Sequence, residues 1–400
     1  MSSAYVVDAT RTPFGRHAGA LAGVRADDLA ALPITALMKR HPGLDWAALD
    51  EVMLGCANQS GEDNRNVARM AVLLSGLPES IPAVTVNRLC ASGLEAIGQG
   101  ARAIACGEAE LIIAGGVESM SRAPYVMAKA MGAYTRDQQL EDTTLGWRLV
   151  NPRMQASYGI ESMTQTAENL AREHGIDRAD QDAYAWRSQQ RAAHAQRQGW
   201  LAEEITAVAA QQGQQTVTVE ADEHLRPNTS IAQLSMLKPL LGTHASITAG
   251  NASGLNDGAG AVLLASEVAL RKFKLQPLAR IVGMASAGVA PRVMGIGPVL
   301  AMRKLLARTG LGLSDFDRIE INEAFAAQVL ACSRMLGLSD DAEHVNANGG
   351  AIALGHPLGA SGARLAMTAA FALRRHGQRR ALVSLCVGVG QGLALALEQA

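Results

Sequence analysis

The sequence predicts an α/β protein, and three observations support this class. Short apolar runs of strand length, such as residues 5–8, 51–54 and 111–114, alternate with Ala- and Leu-rich stretches of helical periodicity. Apolar types make up 48% of the 400 residues and charged types only 18%. This composition excludes a disordered chain, and the length is too great for one small core. The third observation is an internal repeat.

The repeat relates residues 84–116 to residues 345–388. Each segment reads as a strand, a glycine loop containing Ser-Gly, an Ala-rich helix and a strand that ends in glycine. Gly93 and Gly116 are 23 residues apart, and Gly362 and Gly388 are 26 apart. We therefore expect two related halves whose loops face each other across a pseudo-twofold axis. The ends of parallel strands are where α/β folds place their chemistry.

Between the repeats lies a more polar region, which we interpret as an inserted subdomain spanning 122–249. Of the 66 residues from 161 to 226, 17 are charged, well above the chain average. Asp177 is a predicted helix N-cap, and Gly199 closes the same helix.

Charge and cysteine usage exclude several classes of function. The formal net charge of −1 gives no electrostatic footprint for nucleic acid or an acidic membrane surface. The five cysteines form no Cys-x-x-Cys pair and have no histidine at ligand spacing, so we expect neither a metal site nor a disulfide framework. Residues 1–16 have neither the charged region nor the apolar run of a signal peptide, so we expect none. Residues 381–397 are too short and too interrupted by glycine to span a bilayer, and we expect a cytoplasmic protein.

Two residues in matching loops of the repeat are candidates for nucleophilic chemistry. Cys90 falls where a strand ends and a helix begins, and a helix N-terminus favours the thiolate. His356 lies among five glycines in the equivalent loop, and a histidine is the usual base for a nucleophilic thiol. The competing interpretations are a buried structural cysteine and a hydrogen-bonded loop histidine.

Two further strand ends carry candidates. Cys386 ends a strand before Gly388-Val-Gly-Gln-Gly392, but too few residues follow for the helix of a dinucleotide site, so these glycines would instead bring backbone N–H groups near an oxyanion. Asn322 and Glu323 follow a strand where a cleft is expected, with a helix cap as the alternative.

These motifs together resemble the thiolase family. The matching stretches are Asn87-Arg-Leu-Cys-Ala-Ser-Gly93, Asn322-Glu-Ala-Phe325, Gly355-His-Pro-Leu-Gly-Ala-Ser-Gly362 and Cys386-Val-Gly-Val-Gly-Gln-Gly392. The resemblance covers residues 5–398. It implies two duplicated βαβαβαββ halves in a five-layered α-β-α-β-α core, namely 1–121 completed by 250–275, and 276–400. The loop subdomain at 122–249 would carry coenzyme A binding and oligomer contacts, in a homotetramer or a dimer.

The resemblance also implies a mechanism. Cys90 would attack the 3-keto carbon of a 3-oxoacyl-CoA, His356 would take the thiol proton, and Cys386 would protonate the leaving acetyl-CoA enolate. Asn322, through a water, would form one oxyanion hole with His356. The backbone N–H groups of Cys90 and Gly388 would form the other. Coenzyme A would be a co-substrate, with no permanently bound cofactor and no metal.

By the same resemblance, six residues would contact coenzyme A or line its tunnel: Arg226, Ser253, Met163, Ala249, Ala324 and Phe325. Many biosynthetic thiolases carry histidine immediately before the tunnel methionine, whereas this chain has Ser162 there.

Longer phrases, including 55–69, 140–148, 222–227 and 288–295, resemble the thiolases that cleave 3-oxoadipyl-CoA to succinyl-CoA and acetyl-CoA in aromatic-compound catabolism. Such a substrate ends in a carboxylate, and Arg65 and Arg292 are the candidate counter-charges, with solvated surface arginines as the alternative. The rival functions are a general acetyl-CoA acetyltransferase, a decarboxylating ketoacyl synthase and a non-catalytic acyl-CoA-binding scaffold.

Overall fold

The computed structural model describes residues 2–400. The strands within this range are β1 (Ala4–Arg11), β2 (Gly15–Arg16), β3 (Glu51–Gly55), β4 (Ala83–Val86), β5 (Leu111–Ser119), β6 (Tyr125–Met127), β7 (Leu140–Asp142), β8 (Val208–Gln212), β9 (Gln215–Val219), β10 (Asn256–Ser266), β11 (Ala279–Gly288), β12 (Arg318–Ile321), β13 (Arg380–Val387) and β14 (Gln391–Gln399). The helices are α1 (Ala26–Arg40), α2 (Val67–Ser75), α3 (Ser92–Cys106), α4 (Pro152–Tyr158), α5 (Met163–Glu173), α6 (Arg178–Arg197), α7 (Ile231–Ser235), α8 (Glu267–Phe273), α9 (Gly297–Thr309), α10 (Ala326–Met335), α11 (Ala351–Leu354) and α12 (Leu358–His376).

The large sheet consists of two similar units joined at one weak seam. Its strand order is β12-β13-β14-β11-β1-β10-β5-β3-β4, with β2 paired to β10. In one unit β5 pairs with β3 in parallel and with β10 antiparallel. In the other, β13 pairs with β12 in parallel and with β14 antiparallel. Only two residue pairs, Tyr5–Arg280 and Val6–Ala279, join β1 to β11 at the seam.

Three apolar clusters show how helices cover these units. The first cluster places α3 and α12 between the two sheet units, where their side chains meet strands of both. The second packs α1 and α2 on the outer face of the N-terminal unit, and the third packs α9 and α10 on the outer face of the C-terminal unit. The layers therefore run α-β-α-β-α, which confirms the predicted fold class.

The two central helices touch through equivalent glycines of the repeat. A Cβ on Gly93, in the first turn of α3, would lie 2.4 Å from the Gly359 carbonyl oxygen at the start of α12. A Cβ on Gly362 would lie 2.2 Å from the Leu94 backbone nitrogen. No larger residue fits at either position, so the two glycine loops meet face to face, as the repeat predicts.

The predicted repeat is wrong in two details. The strand expected at 345 is reduced to a single bridge between Val345 and Ile319. β5 does not end at Gly116 but continues to Ser119. A Cβ on Gly116 would lie 2.0 Å from the Gly359 carbonyl oxygen, so this glycine allows close packing of β5 against the start of α12 and does not end the strand.

The region 122–249 contains two short hairpins, β6–β7 and β8–β9, and the helices α4 to α7. The predicted N-cap is present, because the Asp177 side chain accepts a hydrogen bond from the Asp180 backbone N–H at 2.8 Å. Across residues 2–400, we find no helix with both the length and the apolar character needed to cross a membrane.

Candidate active site

A cavity of about 480 Å³ opens between the two sheet units and the region 122–249. Its wall includes Cys90, His356, Cys386 and Gly388, which come from loops of both halves of the repeat. A volume of this size is typical of small-molecule sites. The structure thus brings together the two thiols and the imidazole that the sequence singled out.

A strained turn presents Cys90 to the cavity. Leu89 has a φ of 46°, which is rare for a side chain of this size. Hydrogen bonds on both sides hold the turn, since Leu89 N–H donates to Asn87 Oδ1 at 2.9 Å and Arg88 N–H donates to Ser92 Oγ at 2.8 Å. The turn leads directly into α3, so Cys90 lies just before the helix.

The expectation that this position favours a thiolate is wrong for the free enzyme. Desolvation within the cavity wall, assisted by the nearby Glu118 charge, raises the pKa of Cys90 to about 11. The backbone N–H groups of Gly388 and Cys90 lower this pKa but do not outweigh burial. Cys90 is therefore a neutral thiol near pH 7 and requires a base.

The Gly388 backbone N–H lies close enough to the Cys90 sulfur to act on its pKa. The Cys90 N–H does the same, so both predicted oxyanion-hole donors surround the sulfur. Gly388 follows β13 and packs near Leu89 and Met163.

Cys386 is buried at the end of β13, among Met163, Met294, Ala324 and Phe325. Burial raises its pKa, and the neighbouring Cys90 and Cys332 raise it further. Cys386 thus holds its proton at neutral pH and borders Cys90, which suits a proton donor.

His356 is held in one tautomer. Its Nδ1 lies 2.6 Å from Ser361 Oγ, and that hydroxyl donates its own hydrogen to the Pro357 carbonyl at 2.8 Å. The hydroxyl can therefore only accept from the ring, which places the imidazole hydrogen on Nδ1. Burial and the Arg364 charge lower the His356 pKa to about 3, so Nε2 carries a free lone pair at neutral pH.

Asn322 lies against the His356 ring. Its Nδ2 is 3.4 Å from Nδ1 and 3.3 Å from Nε2, so the amide contacts both ring nitrogens. Asn322 is fully buried, and its Oδ1 has no hydrogen-bond partner within residues 2–400.

Glu323, in contrast, does not face the cavity. Its carboxylate accepts hydrogen bonds from Tyr184 at 3.0 Å and Ser188 at 2.7 Å, both on α6, and from the Ile352 N–H at 3.1 Å. The expectation of a cleft residue at this position is wrong, because these bonds use the carboxylate to tie the region 122–249 to the C-terminal half.

Glu118 is a cavity residue that the sequence reasoning missed. It accepts the backbone N–H groups of Ala57 and Asn58 at 3.0 Å and of Gly359 at 2.9 Å. Burial raises its pKa to about 7. A lone carboxylate inside the apolar and glycine-rich run Leu111–Ser119 is the signal that could have identified it.

One trio of residues has metal-capable groups near each other: Cys56, Asp63 and Glu118, whose ligand atoms lie within 4.8 Å. Burial and the two carboxylates raise the pKa of Cys56, which keeps its thiol protonated. A protonated thiol is a poor ligand, and Glu118 is already bonded to three N–H groups. We interpret the trio as a hydrogen-bonded support for the loop at 56–63.

The residues expected near coenzyme A fall into two groups. Met163, Ser253, Ala324 and Phe325 line the cavity. Arg226 and Ala249 do not; both are exposed. Ser162 caps α5, with its hydroxyl accepting the Gln165 N–H at 3.2 Å.

The two arginines expected to face a substrate carboxylate lie elsewhere. Arg65 is exposed and outside the cavity wall. Arg292 pairs with Glu173 on the surface. The expectation is wrong for both, because neither guanidinium reaches the cavity.

The fold and the cavity together define an α/β protein with two thiols and an imidazole on one cavity wall. The family model for the thiolase N-terminal domain matches residues 4–268, and that for the thiolase C-terminal domain matches 275–399. The chain belongs to the thiolase family and is an acyltransferase.

Relatives match over the whole chain. The beta-ketoadipyl-CoA thiolase of Pseudomonas aeruginosa is 64% identical, covering 99% of this chain and 98% of that protein. The 3-oxoadipyl-CoA/3-oxo-5,6-dehydrosuberyl-CoA thiolase of Escherichia coli K12 is 58% identical, with complete coverage of both. The crystal structure of human mitochondrial 3-ketoacyl-CoA thiolase with CoA superposes with a TM-score of 0.92 at 41% identity, covering 100% of this chain and 98% of that one.

Proposed function

We propose that this enzyme cleaves 3-oxoadipyl-CoA with coenzyme A, giving succinyl-CoA and acetyl-CoA through an acyl-enzyme on Cys90. The observation that carries the proposal is the meeting of Cys90, His356 and Cys386 on one cavity wall, with the Gly388 N–H beside the Cys90 sulfur. The full-length similarity to thiolases named for this substrate supports the choice of acyl chain.

In the first half-reaction, the Cys90 sulfur bonds to the 3-keto carbon while His356 Nε2 takes the thiol proton. A neutral imidazole beside a neutral thiol supplies this base without a preformed ion pair. The Cys90 and Gly388 N–H groups would stabilise the oxyanion of the adduct, and one such donor is typically worth about 3–4 kcal/mol.

The C2–C3 bond then breaks, and its electron pair moves onto the acetyl-CoA fragment as an enolate. Cys386 gives its proton to C2, so acetyl-CoA leaves and a succinyl thioester stays on Cys90. Asn322, whose Nδ2 is 3.3 Å from His356 Nε2, would hold a water, and this water and His356 would stabilise the charge on the enolate oxygen.

In the second half-reaction, the Cys386 thiolate takes the thiol proton of coenzyme A. The coenzyme A sulfur attacks the succinyl carbonyl, the bond to Cys90 breaks, and His356 returns a proton to Cys90. Succinyl-CoA is released, and both cysteines are again neutral thiols. The cavity residues Met163, Ser253, Ala324 and Phe325 would surround the pantetheine, and Arg226 and Ala249 would meet the outer part of coenzyme A.

Mass spectrometry after mixing the enzyme with 3-oxoadipyl-CoA, without free coenzyme A, tests the acyl-enzyme. We expect a succinyl adduct on the Cys90 peptide, none in Cys90→Ala, and a normal adduct in Cys106→Ala, which alters an exposed cysteine away from the cavity. A protein that only binds acyl-CoA would give no adduct.

Substrate preference separates the proposal from its rival, a general acetyl-CoA acetyltransferase. We expect kcat/KM to be higher for 3-oxoadipyl-CoA than for acetoacetyl-CoA. Equal values, or a preference for acetoacetyl-CoA, would favour the rival.

We further propose the division into halves 1–121 with 250–275, and 276–400, and a coenzyme A-binding subdomain at 122–249. A homotetramer, or a dimer, and a cytoplasmic location also stay predictions. Light scattering of the purified enzyme measures the first, and cell fractionation the second.

A further inference from the structure

A single arginine lines the catalytic cavity. Among the cavity-lining residues of the described chain, Arg148 is the one side chain with a permanent positive charge, because the low pKa of His356 keeps that ring neutral. The wall also carries two carboxylates, Glu118 and Glu161. Glu161 accepts a hydrogen bond from Asn169 at 2.9 Å.

Most N–H donors of the Arg148 guanidinium make no hydrogen bond within residues 2–400. Its Nη1 donates to the Gly146 carbonyl at 3.3 Å, and it forms no ion pair with any residue in 2–400. A guanidinium carries five N–H donors in a planar fork, which matches a carboxylate. A half-buried guanidinium at a cavity wall, without a carboxylate partner in the protein, is suited to bind one from a ligand.

Hydrogen bonds from both neighbours of Arg148 hold this segment. Trp147 Nε1 donates to the Glu161 carbonyl at 3.3 Å, and the Leu149 N–H donates to the Glu141 carboxylate. Leu149 has a φ of 49°, a strained value that these contacts hold in place. The loop therefore presents the guanidinium from a defined position.

The same loop is also tied to the catalytic centre. Asn58 Nδ2 donates to both the backbone and side-chain oxygens of Thr143 at 3.1 Å, and the Asn58 N–H binds Glu118. Glu118 in turn binds the Gly359 N–H next to His356. The loop that carries Arg148 is thus linked by hydrogen bonds to Glu118, which lines the same cavity as Cys90.

We propose that Arg148 binds the distal carboxylate of the acyl chain and so sets the preference of the enzyme for a dicarboxylic substrate. This inference rests on the proposed function. In the acyl-enzyme, the succinyl carboxylate would lie three carbon–carbon bonds from the thioester carbon on Cys90, and both Cys90 and Arg148 line the same cavity. Arg148 replaces Arg65 and Arg292 as the counter-charge, because it alone of the three lines that cavity.

The test compares two substrates that differ at one end. 3-Oxohexanoyl-CoA carries a methyl group where 3-oxoadipyl-CoA carries the carboxylate. In Arg148→Gln we expect kcat/KM for 3-oxoadipyl-CoA to fall roughly 10- to 100-fold, as for the loss of a charge-assisted hydrogen bond. We expect kcat/KM for 3-oxohexanoyl-CoA and the KM for free coenzyme A to stay unchanged. Arg148→Lys should retain part of the preference, and Arg65→Gln, a surface control, all of it.

Each other outcome has a defined meaning. A parallel loss for both substrates with a higher KM for coenzyme A would show that Arg148 binds a coenzyme A phosphate, and would overturn the inference. Unchanged selectivity in Arg148→Gln, while the wild type prefers 3-oxoadipyl-CoA, would overturn it and leave the proposed function intact. A wild type that prefers acetoacetyl-CoA would instead overturn the proposed function itself.

Discussion

His356 Nδ1 and Ser361 Oγ lie 2.6 Å apart, on either side of the turn that starts α12. Because the serine hydroxyl donates to the Pro357 carbonyl, this contact places the ring hydrogen on Nδ1 and leaves the lone pair on Nε2. Ser361 is fully buried and does not touch the cavity, so it acts through His356 as a positioning residue.

Replacing Ser361 by alanine should lower kcat roughly tenfold, because the Nδ1–H loses its acceptor and the active tautomer loses its bias. Steady-state kinetics with 3-oxoadipyl-CoA measures this change. Ser384→Ala is the matched control, since its hydroxyl also donates to a buried carbonyl, that of Leu393 at 2.7 Å, but does not contact His356. Equal losses in the two variants would indicate a general packing effect. Ser361→Thr, which keeps the hydroxyl, should restore part of kcat.

The pH dependence of Cys90 alkylation should reflect its raised pKa. Only the thiolate reacts with iodoacetamide, and a thiol with a pKa of about 11 stays protonated below that value. The alkylation rate should therefore keep rising beyond about pH 9, the range where an ordinary exposed thiol approaches its plateau. Peptide mass spectrometry of the Cys90 adduct across pH measures it. A plateau below about pH 8 would instead indicate a thiolate–imidazolium pair.

Glu118→Gln should shift that alkylation profile to lower pH. The Glu118 charge raises the Cys90 pKa, so neutralising it makes the thiolate easier to form. The same change leaves the N–H groups of Ala57, Asn58 and Gly359 with a weaker acceptor, and the melting temperature should fall. Glu161→Gln is the control, because Glu161 lines the cavity but is not among the charges that shift the Cys90 pKa. A profile that does not move would contradict this role for Glu118.

The sequence predicted the parts of the site that local patterns reveal. Cys90, His356 and Cys386 stand at strand and helix ends of a visible repeat, and the structure places all three on one cavity. Glu118 was missed because its role depends on contacts between distant segments, such as that with Gly359. Ser361 and Arg148 were missed for another reason: a local pattern shows neither the rotamer that brings the Ser361 hydroxyl to His356 nor the loop path that brings Arg148 to the cavity wall. The position of Cys90 at a helix start led to the wrong prediction of a thiolate, because desolvation has a larger effect on its pKa than the helix end.

Gly116→Ala should destabilise the fold and disturb catalysis together. An added Cβ would lie 2.0 Å from the Gly359 carbonyl oxygen and 2.7 Å from that of Gly55, both rigid backbone atoms. The start of α12 would have to move away from β5, and His356 lies just before that helix. Overpacking of this kind typically costs about 1–3 kcal/mol, so the melting temperature should fall with kcat. Gly43→Ala, where an added Cβ meets no atom within 4 Å, should leave both unchanged. If Gly116→Ala kept the wild-type melting temperature and kcat, close packing of β5 on α12 would not be what positions His356.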